Sequence, residues 1–428
     1  MTAVKQGMTV REILAVANYR WLWLGQTVSE FGDALTHLAL ILLINRVTDG
    51  DTSAIAYLLI ALAIPRATLG LLAGVFVDRW DRKRIMQVSD LSRAVLVLGF
   101  ILVATTDNAQ LGWIYALAFV HSVMGTFFNP ARSAIIPNIL PEKGLLAANS
   151  LSQISFVLFR VLGASAAGVL VGQANAFSLI YLVDAITFVF SFIFISRIAL
   201  TGRQVTAPAA LDSQPARQIL GQIREGIGVI FASRVLVGTI VGAGMTMLGL
   251  GAVNILMAPF IVNNLAVSET WFGAIEAVQV AGMIISGALV AVLAARLLPT
   301  HIVALGLIGV GGGIGLTFLV PNIWWLFPLL FTVGLFITPL NASISTLFQT
   351  EVADEQRGRT GAALSAMMEL AGLISMFLAG TVAAAIGVRN VFALSGALTI
   401  LAGIAAWLIF RGYRPVPREE VIEPELTM

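Results

Sequence analysis

Twelve apolar runs, each close to the ~20 residues a helix needs to cross a ~30 Å hydrocarbon core, fill almost all of this 428-residue chain. They lie at 20–46, 52–77, 84–105, 110–134, 145–172 and 176–196, and again at 227–262, 269–295, 300–320, 322–350, 359–386 and 388–410. Lipid offers backbone N–H and C=O groups no partner, so runs this long and continuous must be helices. Charged residues make up 11% of the chain, less than half the share of a soluble domain, about 25%. That balance excludes a water-soluble enzyme or a nucleic-acid-binding protein. The chain has no cysteine, which removes disulfides and thiolate metal sites. No Gly-rich phosphate loop, nucleophile–base set or metal cluster is present. No cofactor, metal or nucleic acid is therefore expected, and energy for any transport must come from an ion gradient. The start, residues 1–25, lacks a small-residue cleavage site, so the first run reads as a retained span.

The runs divide six and six. Between the sets, 197–226 is polar and marked by Pro208 and Pro215, and Ile219, Ile223, Ile227 and Ile230 recur about once per turn. That spacing predicts an amphipathic helix on the membrane surface. The second set repeats the first: aligning Gly70 with Gly287 puts Gly74 on Ala291, Asp78 on Ala295 and Arg79 on Arg296. Pro130 is likewise echoed by Pro339. The expected organisation is a six-helix bundle over 1–196, the linker 197–226, a second bundle over 227–410 and a tail over 411–428. Of the 25 basic residues, about 20 fall in the loops, span ends and tails on the side of the termini, only Arg46 and Arg389 fall on the opposite side, and Arg66, Arg93 and Arg160 lie well inside spans. That bias predicts cytoplasmic N- and C-termini.

Gly74, Asp78, Arg79, Arg82, Lys83 and Arg84 form a dense charged stretch between the second and third runs. Their spacing resembles the signature between helices 2 and 3 of the major facilitator superfamily, with Asp81 where that pattern has a glycine. Asn18, Arg20, Ser29, Glu30, Gly32, Asp33, Ser89, Asp90, Arg93, Asn149 and Ser150 resemble the macrolide-efflux and enterobactin-exporter branch of its drug:proton antiporters. Gly163, Ala164, Ala167 and Gly168 look like a worn form of the antiporter signature in helix 5. The resemblance implies an all-α membrane protein of two pseudo-symmetric six-helix bundles, with the substrate site where they meet and access alternating between faces. It also implies that helices 2 and 11 adjoin, and that Asp78 faces the start of helix 11 as a cytoplasmic gate. Asp90 and Arg93, at i, i+3 near the inner end of helix 3, read as a local pair supporting the turn.

A charge at mid-bilayer costs roughly 2.5–3.5 kcal/mol, so each one calls for a reason. Gln26, Glu30, Asp33 and His37 share one face of the first helix. Asp33 or Glu30 is a candidate proton carrier; the alternative is a structural acid pinned by an arginine. Depth counting places Arg66 level with Asp33, and Glu369 about a turn away, so an Asp33/Arg66/Glu369 cluster is expected. Arg160 and Asp184 share a depth and read as an ion pair within the first bundle. Glu276 and Gln279 align on helix 8, with Glu276 as a substrate or exit-path carboxylate. The surplus of acids over bases in the spans predicts a cavity for cationic cargo. Phe127, Phe128, Gln153, Asn254, Met257, Asn341, Met367 and Met368 are candidate lining, and His121 reads as a packing histidine. The expected function is proton-coupled export of lipophilic or cationic small molecules across a bacterial cytoplasmic membrane. The expected partners are the substrate, protons and the bilayer, with the chain as a monomer. A symporter, a lipid-moving carrier and a non-transporting sensor are the alternatives.

Overall fold

Each apolar run becomes a helical span, because only intrahelical bonds satisfy the backbone where water is absent. The computed structural model describes residues 8–105, 110–199, 215–353 and 356–411; within it, the side chains of 71, 72, 74–76, 78, 79, 215–220, 222, 223, 291, 358 and 362 lie outside the described set. Spans 1 to 6 are Ala17–Val47, Thr52–Arg79, Arg82–Ala104, Leu111–Ile139, Glu142–Ala174 and Phe177–Ser196. Spans 7 to 12 are Arg234–Asn264, Trp271–Arg296, Pro299–Leu319, Ile323–Glu351, Arg357–Ile386 and Val388–Ile409. Twelve crossings bring both ends of the described chain to the same side, called the terminal face below.

The boundaries shift where local chemistry intervenes. The second helix runs on to Arg79, so the charged turn shrinks to Trp80 and Asp81. Asp81, the departure from the family signature, N-caps span 3: its Oδ1 accepts the backbone N–H of Arg84 at 2.9 Å. A capping carboxylate thus supplies the turn that a glycine would otherwise make. Span 4 breaks at Phe127 into Leu111–Thr126 and Phe128–Ile139, three residues before Pro130, whose ring nitrogen cannot donate. The linker helix extends from Pro215 to Ala232, and span 7 begins only at Arg234, where Ser233 Oγ accepts the N–H of Leu236 at 3.3 Å. Gly226 seats that linker helix on the Arg359 carbonyl at the start of span 11, where an added Cβ would lie 2.4 Å from the oxygen. Near the N-terminus, the backbone N–H of Thr9 donates to Glu12, and this bond holds the Glu12 carboxyl below its ordinary value.

Within each half, small residues let helices approach closely enough for dispersion to hold them, since lipid supplies no hydrophobic drive between spans. Gly32 of span 1 faces Asp184 and Thr187 of span 6, and Gly163 of span 5 faces the Phe31 carbonyl. In the second half Gly396 meets Gly311 and Gly315 of span 9; an added Cβ would lie 2.3 Å from the Gly315 Cα and 2.6 Å from the Gly311 oxygen. Backbone cannot move aside as a side-chain tip can. Gly396→Leu is therefore expected to cost about 1–3 kcal/mol, seen as a lower thermal midpoint in detergent; an unchanged midpoint would contradict this packing.

The halves meet at spans 2 and 11, where Gly380 sits against Thr52 and Ala56, and at spans 5 and 8, where Gly273 sits against Ser165. The adjacency of helices 2 and 11 expected from the resemblance is present.

Candidate functional site

The centre of the first half is a guanidinium shared by two carboxylates. Arg93 Nη1 donates to Asp33 Oδ2 at 3.1 Å and its Nη2 to Asp90 Oδ1 at 2.8 Å. Ser191 Oγ of span 6 donates to the other Asp90 oxygen at 2.6 Å. The rings of Phe188 and Phe128 lie 4.3 and 5.0 Å from the Arg93 guanidinium carbon, in the range of cation–π attraction. His121 Nε2 stands 3.9 Å from Asp33 Oδ1. Asp90 is fully buried and the Arg93 side chain 6% exposed, whereas that of Asp33 is 39% exposed. Asp33 is thus the open end of an otherwise sealed node.

Asp33 therefore takes Arg93, not Arg66, as its direct partner. Arg66 remains within electrostatic reach of Asp33, but its Nε donates to the Leu62 carbonyl at 3.1 Å. Glu369 is exposed on span 11, with no ion pair to it among the described residues. The expected three-member cluster is replaced by Asp33, Arg93 and Asp90. Asp90 and Arg93 do form the i,i+3 pair, yet they brace a membrane-buried node instead of the turn.

Arg160 and Asp184 do not pair either. Arg160 sits on the face of span 5 that fronts span 8, and its Nε lies 3.5 Å from Glu276 Oε1 across the halves. Asp184 faces span 1 instead, fully buried. Its oxygens accept the hydroxyls of Thr36 at 2.5 Å and Thr187 at 3.1 Å. Glu30 accepts Gln26 Nε2 at 2.8 Å and lies 3.4 Å from Arg132 Nη1. Since span 4 continues to Ile139, five residues beyond the expected end at 134, Arg132 lies within the span's helix and faces span 1. Arg93 and Arg132 partner acids of this set, but Asp90 joins it as a further buried carboxylate, so the surplus that argued for cationic cargo is reduced and not removed.

Among the candidate lining, Gln153, Asn254, Asn341 and His37 are exposed, and Gln279, Met367 and Met368 are partly so. Phe127 packs against the core of the first half, Phe128 is buried beneath Arg93, and Met257 packs against the main core. In the charged stretch, Lys83 Nζ donates to the carbonyls of Ser196 and Ile198, both at 2.8 Å, at the end of span 6, where a cation suits the helix dipole. Arg82 donates to the Ala134 carbonyl at 2.9 Å and to Asn138 at 3.1 Å; Arg84 is exposed. The expected contact of Asp78 with span 11, and the side chain of Arg79, lie outside the described residues, and Gly74 falls within the second helix.

The clearest contact between the halves that sequence reasoning missed is on the face away from the termini. Arg46, near the end of span 1, reaches across the halves to Glu269 at 2.8 Å and also donates to Asn175 and the Val171 carbonyl. Asn45 and Asn263 pair beside it at 3.4 Å, and Thr52 Oγ1 donates to the Gly380 carbonyl at 2.7 Å. Gly168 and Gly172 make room for this strap: Cβ atoms there would lie 2.5 Å from the Glu269 carbonyl and 2.7 Å from Ser268 Oγ. The signal was available, because Arg46 is one of two basic residues on the side that otherwise lacks them.

A two-half bundle with buried ion pairs and a polar seam is the arrangement of a carrier, and the sequence comparison decides which kind. The profile of the family described as transmembrane secretion effectors matches residues 13–421. The chain belongs to that family. The transporter YvqJ of Bacillus subtilis, of the major facilitator type, is 24% identical over 413 residues, covering 95% of each chain. Macrolide efflux protein A of Streptococcus pyogenes is 25% identical over 392 residues, covering 91% of this chain and 95% of that one. Among solved structures, a bacterial homologue of the iron transporter ferroportin in an inward-facing state superposes with a TM-score of 0.74. That match has 15% sequence identity and covers 92% of this chain and 98% of the other, and it speaks to fold alone. This member of the transmembrane secretion effector family is a multi-pass membrane protein and a secondary transporter of the major facilitator superfamily, as the residue resemblance implied.

Proposed function

We propose that this transporter exports lipophilic small molecules in exchange for protons, by alternating access, with both termini in the cytoplasm. The observation that carries the reading is the exposure of Asp33 at the mouth of a sealed Asp33–Arg93–Asp90 node. A proton arriving on Asp33 weakens its hold on Arg93 and leaves the guanidinium to Asp90; loss of that proton draws it back. Because Arg93 links span 1 to span 3, and Asp90 links span 3 to span 6 through Ser191, protonation changes the packing of three helices at once. The efflux activity named for the Streptococcus relative supports the export direction, and the basic bias toward the terminal face supports the orientation.

The test is reconstitution into liposomes with an imposed pH gradient and a panel of lipophilic dyes and antibiotics, a macrolide among them. Antiport requires cargo to move against the proton flux, with proton uptake that depends on cargo. Co-directional movement would make the protein a symporter, and cargo movement indifferent to the gradient would sink proton coupling.

A further inference from the structure

Among the described residues, no hydrogen bond engages the Nη groups of two arginines of the first half, Arg66 and Arg160. Pro65 lies inside the continuous helix of span 2, one residue before Arg66, and the nearby Leu62 carbonyl accepts both Ser122 Oγ at 2.5 Å and Arg66 Nε at 3.1 Å. That tether fixes the Arg66 plane through Nε, while its Nη groups have no hydrogen-bond partner among the described residues. The side chain is exposed. Arg160, with a 52% exposed side chain, approaches Glu276 Oε1 to 3.5 Å from its Nε. His37, exposed one turn beyond Asp33, lies within electrostatic reach of both arginines. Asp33 and His121 are also within reach of Arg66, but Asp33 is already held by Arg93 at 3.1 Å. His37 of span 1 thus stands within electrostatic reach of one arginine on span 2 and one on span 5, with Glu276 of span 8 as the carboxylate paired with Arg160.

A membrane-embedded arginine with open Nη groups is costly unless something anionic shares its site, and its planar fork matches a carboxylate or phosphate with two parallel hydrogen bonds. We propose that Arg66, Arg160 and His37 form a subsite for the anionic head group, carboxylate or phosphate, of an amphiphilic cargo whose apolar body lies along the seam between the halves. Glu276 then competes with the cargo for Arg160, so that loading loosens one of the contacts joining the halves. For the word cargo this rests on the exporter reading; the subsite itself does not.

Binding is measured at equilibrium, without a gradient, on the purified full chain in phosphatidylcholine nanodiscs, using dansyl-undecanoic acid and its uncharged N-methylamide. The carboxylate should bind about tenfold or more tightly than the amide, the scale of a charge-assisted pair. Arg66→Gln combined with Arg160→Gln should remove the preference while leaving amide affinity in place, and Arg66→Lys should keep part of it. Should the double variant fail to purify, Arg66→Gln and Arg160→Gln singly carry the same test, each expected to lower the preference. A second set of nanodiscs containing phosphatidylglycerol separates the two sources of the anion. Displacement of the probe supports the subsite and assigns it a lipid phosphate; no displacement supports it as a cargo site. Equal binding of acid and amide, or a preference that survives the double variant, would overturn the proposal. Neither result depends on whether proton-driven flux is observed, so failure here is distinct from failure of antiport.

Discussion

Arg46→Ala is expected to open the face away from the termini. In the present structure Arg46 bonds Glu269 through Nε at 3.3 Å and Nη2 at 2.8 Å, and stacks 5.3 Å from the centre of the Phe177 ring. Glu269 is 8% exposed, so water replaces the lost partner poorly. A charge-assisted bond of this kind contributes about 2 kcal/mol, which corresponds to about a 30-fold change in a two-state equilibrium. The chain contains no cysteine, so labels at Asp51→Cys and Asn264→Cys would be the only ones present. Distances between them should be short and narrow in the parent, with a long-distance population appearing in Arg46→Ala. Glu269→Gln should shift the distribution in the same direction by less, since an amide still accepts one bond. An unchanged distribution would show that the glycine-seated loop, and not the ion pair, holds that face shut.

The second large effect is on stability. Arg93→Met leaves Asp90 fully buried with Ser191 as its remaining partner. Stripping one member from a buried pair typically costs about 3–5 kcal/mol, whereas removing both charges is far milder. Arg93→Met should therefore fail to give a monodisperse protein, or melt at a much lower temperature in detergent. Adding Asp90→Asn should recover most of the loss. Wild-type stability in the single variant, or no recovery in the double, would mean that the node does not hold spans 1, 3 and 6 together.

The twelve spans and their two-fold repeat were legible because hydropathy is a one-dimensional property and lipid leaves helices no alternative. Partner choice was not. Counting residues from the membrane edge put Asp33 level with Arg66 and Arg160 level with Asp184, but depth says nothing of rotation about the helix axis, and rotation sent Arg160 to span 8 and Asp184 to span 1. Arg93 was assigned to Asp90 by its i,i+3 spacing, which is right for one end of a guanidinium that has two; the other end holds Asp33. Arg132 was counted at the terminal end of the fourth run, which reads as stopping at 134, because the polar residues from Asn129 to Ser133 look like a span end although the helix continues to Ile139. Arg46 was visible as an exception to the charge bias without any sign of its partner, since Glu269 lies 223 positions away in the chain.

The central claim is that Asp33 couples transport to protons without being needed for the conformational cycle itself. The direct measurement compares two modes in the same proteoliposomes, using the best-transported dye of the panel: exchange of labelled for unlabelled cargo with no gradient, and accumulation driven by an imposed pH gradient. Asp33→Asn should retain exchange within a few-fold of the parent and lose accumulation to the level of empty liposomes. Accumulation persisting in Asp33→Asn at the parent's steady-state level would contradict the claim and move the coupling carboxylate elsewhere in the bundle.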